Sequence, residues 1–243
     1  MKDFQIIAEI GSNWNGNEKI GKKMIKMAKL AGADYVKFQM WKAADLWKKS
    51  EPFWNDFKRS EVTPEIAKKF KKYSDEQKIK FFCSVFNPEA VETLENLNVK
   101  LYKIASWTAS MKHKKSKSTL ESIAQTKKPV IISTGMNADV NKLKQIFRKN
   151  KKYFLYCVAR YPTKMNQINL ITMKKFDGFS DHTEGFLAPI LFASNFRNSK
   201  KTLFYEKHVS ITKSRGPDKP FSMSMNDFGQ LVSEFKKIQR QRL

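Results

Sequence analysis

The sequence predicts an α/β protein folded as a single (β/α)8 barrel, the TIM-barrel architecture. Its 243 residues are enough for one such barrel. Eight short runs rich in β-branched and aromatic residues alternate with longer, lysine-rich amphipathic stretches. Several of the short runs are apolar almost throughout, as expected of strands buried on both faces. An open doubly wound sheet is the competing architecture, because similar strand–helix units could also build one.

The predicted elements succeed one another without a linker, a repeat or a low-complexity segment, so residues 1–243 are expected to form one domain. The strands are predicted at Phe4–Ile10, Tyr35–Gln39, Lys80–Val85, Leu101–Ile104, Val130–Ser133, Phe154–Cys157, Gly178–Ser180 and Leu203–His208. The helices are predicted at Glu18–Ala31, Pro64–Gln77, Pro88–Leu97, Ser118–Thr126, Asp139–Lys149, Leu170–Lys175, Gly185–Asn195 and Ser224–Arg240. The longest connection, Met40–Lys58, is expected to be a lid or rim loop.

The composition limits the classes of protein to which the chain can belong. Lysine and arginine exceed aspartate and glutamate by 47 to 23, but the lysines are spread over many helix faces. No nucleic-acid partner is therefore expected beyond a weak, salt-sensitive attraction for polyanions. No apolar run approaches the roughly 20 residues that span a bilayer, so no membrane partner is expected. Cys83 and Cys157 lie in strand-like runs and are read as reduced thiols, which indicates a cytoplasmic protein.

Polar residues stand where the predicted strands end, which is where barrel enzymes carry their chemistry. The residues at these ends include Glu9, Asn13, Lys37, Gln39, Ser84, Lys103, Ser106, Ser133, Thr134, Tyr161, Ser180, Lys207 and His208. Lys37 and Lys103 fall inside strands, where a buried ammonium needs an anionic partner. A bound phosphate or carboxylate would be such a partner, and a glutamate of the barrel itself is the alternative.

Two of the three histidines, His182 and His208, end consecutive predicted strands. Adjacent strand ends lie side by side in a barrel, so the two imidazoles could bind a divalent metal, with water and substrate completing its coordination. A packing or hydrogen-bonding role is the alternative. His113 lies in a basic loop and is expected to be solvated.

Two glycine-containing turns could add ligand contacts to this rim. Ser133–Met136 leaves a strand sharply and offers hydroxyls and backbone amides to an oxyanion. Arg215–Asp218 forms a turn that could direct Asp218 toward the barrel mouth. Neither turn identifies a reaction by itself.

Taken together and in order, these motifs resemble the N-acetylneuraminate (sialic acid) synthase family, which includes the legionaminic and pseudaminic acid synthases. The matching segments are Ile7–Gly16, Ala31–Gln39, Tyr102–Ser106, Lys128–Met136, Tyr161–Thr163, Ser180–Thr183, Glu206–His208 and Gly216–Asp218. The resemblance implies a (β/α)8 barrel that condenses phosphoenolpyruvate with the open-chain aldehyde of an N-acylated hexosamine. The products would be a nine-carbon 2-keto-3-deoxy acid and phosphate, and a homodimer is the implied assembly.

The resemblance also implies roles for individual residues. His182 and His208 match the ligands of a divalent metal, typically Mn²⁺, with Mg²⁺ or Co²⁺ as alternatives, which polarises the sugar aldehyde. The positions that bind phosphoenolpyruvate match Lys37, Lys103, Ser106, Ser133 and Ser180, and Tyr161 matches a residue at the junction of the two substrates. Glu9 and Asp218 match acids that contact the acceptor and handle protons, so Glu9, Asp218 and His208 are the expected catalytic residues.

The chain also departs from the family pattern. Thr108 stands where a glutamate usually contacts the acceptor, Val85 replaces a threonine that binds phosphoenolpyruvate, and Trp14 and Ala159 replace a histidine and an asparagine. The sequence ends at Leu243, directly after the last predicted helix, so no C-terminal antifreeze-like domain is expected within it. One interpretation of these differences is that the enzyme uses a different acceptor sugar. A degenerate, non-catalytic barrel that binds metal or an anionic sugar phosphate is the alternative.

Overall fold

A computed structural model describes residues 4–241 of the chain. Eight parallel strands form a sheet in chain order, and β1 pairs with β8 as well as with β2, which closes the sheet into a barrel. The strands are β1 Phe4–Glu9, β2 Tyr35–Met40, β3 Lys80–Val85, β4 Tyr102–Ile104, β5 Val130–Ser133, β6 Lys152–Cys157, β7 Gly178–Asp181 and β8 Leu203–Ser210. A two-residue strand, β9 Met223–Ser224, pairs in parallel with the end of β8 at Val209 and Ser210. The predicted single (β/α)8 barrel is confirmed.

Helices connect the strands and cover the outside of the barrel. They are α1 Glu18–Leu30, α2 Ala43–Leu46, α3 Trp54–Arg59, α4 Pro64–Glu76, α5 Pro88–Asn96, α6 Ser106–Ala109, α7 Ser116–Gln125, α8 Val140–Ile146, α9 Leu170–Met173, α10 Leu187–Phe196 and α11 Met225–Arg240. All eight predicted helices are present, with ends that differ by at most three residues. The segment Met40–Lys58, expected to be a loop, contains α2 and most of α3. No described helix is long and apolar enough to cross a bilayer.

Local capping explains where several helices begin. Each of these helices follows an asparagine, aspartate, serine or threonine whose side-chain oxygen accepts a hydrogen bond from a backbone N–H of the first turn. The capping residues are Asn17 for α1, Thr63 for α4, Asn87 for α5, Asp139 for α8, Asn169 for α9 and Ser224 for α11. Proline follows the cap in α4 and α5, where its missing N–H costs nothing.

The interior of the barrel has an apolar floor and a polar upper layer. Side chains two residues apart on a strand point to the same face, so each strand can contribute to both layers. The floor is built from Ile7, Phe82, Leu101, Ile131, Leu155 and Phe204, with Tyr35 and Tyr153 packed against it. Two positions further along the same strands stand Glu9, Lys37, Ser84, Lys103, Ser133, Cys157 and Glu206. The period-two alternation therefore blocks the bottom of the barrel and places its polar groups at the top.

Candidate active site

A cavity of about 360 Å³ opens at the carboxyl ends of the strands. Of the ten residues predicted for the site, those that line it are Lys37, Lys103, Ser106, Ser133, Tyr161, Ser180, His182, His208 and Asp218. Glu9 is fully buried behind this lining, and its Oε2 lies 2.7 Å from the Lys37 ammonium. The structure thus brings all ten into one connected site, with Glu9 beneath its surface.

The two buried lysines share a glutamate of β8. Lys37 Nζ lies 3.2 Å from Glu206 Oε2, and Lys103 Nζ lies 3.5 Å from Glu206 Oε1. Lys37 is also paired with Glu9, whose Oε1 accepts a hydrogen bond of 2.8 Å from Gln39. A glutamate of the barrel is therefore the partner of both lysines in this structure, which was the alternative left open by the sequence.

Burial and charge act on these four groups in opposite directions. Burial alone would raise the pKa of Glu206, but Lys103 and Lys37 hold it at about 2. Burial raises the pKa of Glu9 to about 7, against the opposing effect of Lys37. Burial also lowers the pKa of Lys103 to about 8; the charge of Glu206 opposes this shift and that of Lys37 adds to it. Glu206 is therefore the ionised carboxylate that balances the lysines at neutral pH.

Serine hydroxyls surround the ammonium groups. Lys37 donates to Ser84 Oγ at 2.9 Å, and Lys103 donates to Ser133 Oγ at 2.7 Å. Ser180 donates to Glu206 Oε1 at 3.0 Å. Ser106, at the first position of α6, accepts a hydrogen bond of 3.1 Å from the backbone amide of Gly135. These short polar side chains could turn toward an anion held by the lysines.

The two histidines of β7 and β8 lie side by side, with ring centroids 5.5 Å apart. Burial lowers the pKa of His182 to about 4 and that of His208 well below its usual value, so both imidazoles are neutral at pH 7. The Nδ1 of His182 lies 3.3 Å from the Val158 carbonyl, which requires the proton on Nδ1 and leaves the lone pair on Nε2. His208 Nδ1 makes no hydrogen bond to any residue that the structure describes.

Asp218 reaches the cavity from the turn after β8. Its Oδ2 accepts hydrogen bonds from the Ser12 amide at 2.6 Å and the Ser12 hydroxyl at 2.8 Å, and lies 4.0 Å from His208 Nδ1. A Cβ at Gly11 would lie 2.3 Å from the same oxygen, and Gly11 has a φ of +52°, so glycine is needed for this approach. The Tyr161 ring lies edge-on to His182, at 4.5 Å between centroids.

One rim lysine points away from the cavity. Lys207 alternates with Glu206 and His208 on β8, and its ammonium pairs with Asp181 Oδ2 at 3.3 Å and bonds the Thr183 carbonyl. Tyr205 donates to the same aspartate oxygen at 2.7 Å. This buried network is structural, and it fixes the strand ends that carry His182 and His208.

Comparison with known proteins agrees with this geometry. Residues 24–242 match the NeuB family. The chain belongs to the NeuB family. It is 31% identical to an uncharacterised protein of Methanocaldococcus jannaschii over 97% of this chain and 71% of that protein. It is 30% identical to the pseudaminic acid synthase of Helicobacter pylori over 96% of this chain and 74% of that enzyme.

A solved structure of the N-acetylneuraminic acid synthetase of Leptospira borgpetersenii, in complex with citrate, superposes with a TM-score of 0.88. The two sequences are 26% identical, and the match covers 98% of this chain and 85% of that one. The predicted family is thereby confirmed, and with it the prediction that the chain is an enzyme of the synthase type.

Sequence reasoning missed several residues of this NeuB site. Glu206 lies two positions before His208 on one strand, and that spacing alone would have placed it in the cavity. His113 is not merely solvated, since its Nε2 donates to the Asp45 carbonyl. The aromatic residues that line the mouth also went unnoticed, because they lie far apart in the sequence. They are Trp41, Trp47, Phe57, Phe86 and Trp107.

Proposed function

We propose that this chain condenses phosphoenolpyruvate with the open-chain aldehyde of an N-acylated hexosamine, giving a nine-carbon 2-keto-3-deoxy acid and phosphate. One observation carries the proposal. In a chain of the NeuB family, two buried lysines and several serine hydroxyls meet beside a pair of neutral histidines within one cavity. Cations and hydroxyls suit a phosphorylated carboxylic acid, and neutral imidazoles suit a metal.

The donor would bind at the lysine end of the cavity. Lys103 is held to Glu206 only at 3.5 Å, so a phosphate or carboxylate could take its place as the nearer partner. Ser133 now accepts from Lys103 and Ser106 accepts from the Gly135 amide, and each hydroxyl could donate to a bound anion. The buried site would exclude water and strengthen these contacts.

The histidine pair fits a divalent ion such as Mn²⁺. Both rings are neutral, and His208 Nδ1 has no hydrogen-bond partner among the described residues, as expected of an atom that is reserved for a ligand. No group of three or more His, Cys, Asp or Glu side chains with metal-site geometry occurs between residues 4 and 241. Water and the sugar would therefore complete the coordination. The ion would polarise the aldehyde as a Lewis acid.

The acids of the site would handle protons. The new C–C bond forms between the phosphoenolpyruvate methylene carbon and the aldehyde carbon, and the aldehyde oxygen gains a proton. Water then adds to the former enol carbon and loses a proton, and cleavage of the bond between this carbon and the bridging oxygen releases phosphate. Asp218, whose Oδ2 lies 4.0 Å from His208 Nδ1, would be the acid nearest an aldehyde bound at the histidine pair. Glu9, with a pKa of about 7, could exchange a proton through Lys37.

The direct test is phosphate release from phosphoenolpyruvate with Mn²⁺, measured against a panel of N-acetylated and diacetamido hexoses. Release that requires one sugar would support the synthase function and identify the acceptor. If phosphoenolpyruvate and Mn²⁺ both bind but no sugar triggers release, the degenerate barrel is favoured. That second reading is supported by Thr108 and Val85, which stand where the family pattern carries substrate-binding side chains.

A paired substitution tests the metal site. His182→Ala should abolish both Mn²⁺ binding and turnover while leaving the circular dichroism spectrum unchanged, because one of two protein ligands is lost. His113→Ala removes the third histidine, which lies outside the cavity lining, and should retain Mn²⁺ binding. Unchanged turnover in His182→Ala would show that the metal assignment is wrong.

A further inference from the structure

One side of the cavity mouth is formed by aromatic rings. Trp47, Phe57 and Trp107 line it, and we refer to these three residues as the aromatic wall. Trp47 and Phe57 stack with their ring centroids 3.7 Å apart, and Trp107 meets Trp47 at 6.2 Å. Trp41 and Phe86, which also line the cavity but are almost fully buried, pack against these three residues. Flat, partly exposed rings of this kind offer a surface to an apolar ligand face.

The aromatic wall is held in place by polar contacts at its base. Trp41 donates from Nε1 to the Phe57 carbonyl at 3.1 Å, which joins the end of β2 to α3. The Ala43 amide donates to Glu61 Oε1 at 2.6 Å. The Asp45 carboxylate pairs with Lys115 at 2.8 Å, and its carbonyl accepts from His113. The wall is therefore organised before any ligand arrives, which reduces the entropy cost of binding.

The aromatic wall faces the histidine pair. Its residues follow β2 and β4, whereas His182 and His208 end β7 and β8, and β3 lies opposite β7 in a barrel of eight strands. Among the described residues that line the cavity, the lysines are Lys37 and Lys103, which lie deeper, on the strands. No lysine or arginine in this lining belongs to the loops that carry the wall. The exposed Lys48, Lys49 and Lys58 of the same segment are not part of the cavity lining. A charged ligand group packed against the rings inside the cavity would therefore lose water without gaining a partner from the lining.

The usual acid of the acceptor site is also missing on this side. Thr108 occupies the position of the family glutamate, and it is buried and absent from the cavity lining. Its hydroxyl points to the Val85 carbonyl, at 3.5 Å. The neighbouring Trp107 faces the cavity instead. At this part of the cavity the chain therefore presents the indole ring of Trp107, and Thr108 offers no side-chain contact to a ligand.

From this placement we infer that the aromatic wall binds the end of the acceptor remote from its aldehyde, and that this end is uncharged and apolar. The inference rests on the proposed synthase function. An aldehyde positioned at the histidine pair directs the rest of the sugar toward Trp47, Phe57 and Trp107. The wall then favours a deoxy carbon or N-acyl methyl groups and rejects a phosphorylated acceptor.

The test uses a matched series of acceptors, with Mn²⁺ and saturating phosphoenolpyruvate. The series is N-acetylmannosamine and its derivatives in which the terminal hydroxyl is replaced by hydrogen or by phosphate. The deoxy sugar should have the highest kcat/KM and the phosphorylated sugar the lowest. Trp107→Ala should raise the KM of the deoxy sugar about tenfold and leave the KM of phosphoenolpyruvate within about twofold. In Trp107→Phe, the KM of the deoxy sugar should lie between its values in the unsubstituted protein and in Trp107→Ala.

Trp54 provides the matched control, because it packs against the same aromatic cluster but does not line the cavity. Trp54→Leu should leave the ranking of the three acceptors unchanged. A preference for the phosphorylated sugar, or an unchanged KM for the deoxy sugar in Trp107→Ala, would overturn the role of the wall while leaving the synthase function intact. Absence of turnover with all three sugars and with the broader panel would overturn the synthase function, and the inference with it.

Discussion

At the residue level, the bottom of the cavity is an arrangement of four buried charges. Glu206 accepts from Ser180 and lies within 3.5 Å of both Lys37 and Lys103. Glu9 forms an ion pair with Lys37, accepts a hydrogen bond from Gln39, and is partly protonated near neutral pH, since its pKa is about 7. Glu206 thus supplies most of the negative charge that makes the two ammonium groups tolerable in the interior.

Glu206→Gln should lower the free energy of unfolding by about 3 kcal/mol, because it leaves a buried ammonium without its counter-charge. Inorganic phosphate should then stabilise the variant more than it stabilises the unsubstituted protein, since the anion replaces the lost carboxylate. Urea unfolding with and without phosphate measures both effects.

The control for this change is Glu184→Gln, which removes the same charge from an exposed position at the rim. It should alter the free energy of unfolding by less than about 0.5 kcal/mol. Equal losses in the two variants would mean that Glu206 does not balance the buried lysines.

At the level of elements, close helix packing depends on glycine in α1. A Cβ added at Gly21 would lie 2.3 Å from Cζ of the buried Phe70 ring on α4. Phe70 in turn stacks on Phe38 of β2 at 4.5 Å and meets Trp14 edge-on at 5.3 Å. The ring has no room to retreat, so the distance between α1 and α4 is set by the missing side chain.

Gly21→Ala should destabilise the protein by about 1 to 3 kcal/mol through overpacking. Gly229 in α11 is the matched position, because a Cβ there would meet its nearest neighbour, Ala31 Cβ, at 3.6 Å. Gly229→Ala should stabilise by up to about 1 kcal/mol, since alanine favours the helix and fits. Thermal and urea unfolding measure the stability of both variants. Increased stability in both Gly21→Ala and Gly229→Ala would contradict the packing argument.

At the level of the whole molecule, 47 basic and 23 acidic residues are spread over one barrel, with a net charge of +24. Several surface lysines are paired, such as Lys22 and Lys69 with Glu18, but the cations outnumber their partners. Repulsion among the unpaired lysines opposes the compact state. The excess charge is therefore a feature of the surface, and the cavity contributes little to it.

The melting temperature should rise by a few degrees when sodium chloride is raised from low to physiological ionic strength. Salt screens the net repulsion, and each exposed ion pair that is weakened in return is worth less than about 1 kcal/mol. Differential scanning calorimetry measures the shift, with sucrose of equal osmolality as the uncharged control. A melting temperature that falls with salt would show that the ion pairs outweigh the repulsion.

Much of this fold could be predicted because its signals are local. The period-two and helical patterns along each segment identified eight strands and eight helices to within a few residues, and strand ends in a barrel must share one rim. That rule was enough to predict that Lys37, Lys103, His182 and His208 would meet. Short helices such as α2 and α3 were missed, because four to six residues carry too little periodicity to distinguish them from a loop.

The sequence by itself determined the barrel, the polar rim and the resemblance to one family, since each depends on residue order along single elements. The tertiary structure alone decided which groups became partners. Glu206 reaches Lys37 and Lys103 from a distant strand, His113 anchors Asp45, and Trp47, Phe57 and Trp107 become one surface. Such contacts depend on distances across the closed barrel. They also depend on burial, because burial sets the protonation states and the partners of these groups only after the strands have come together.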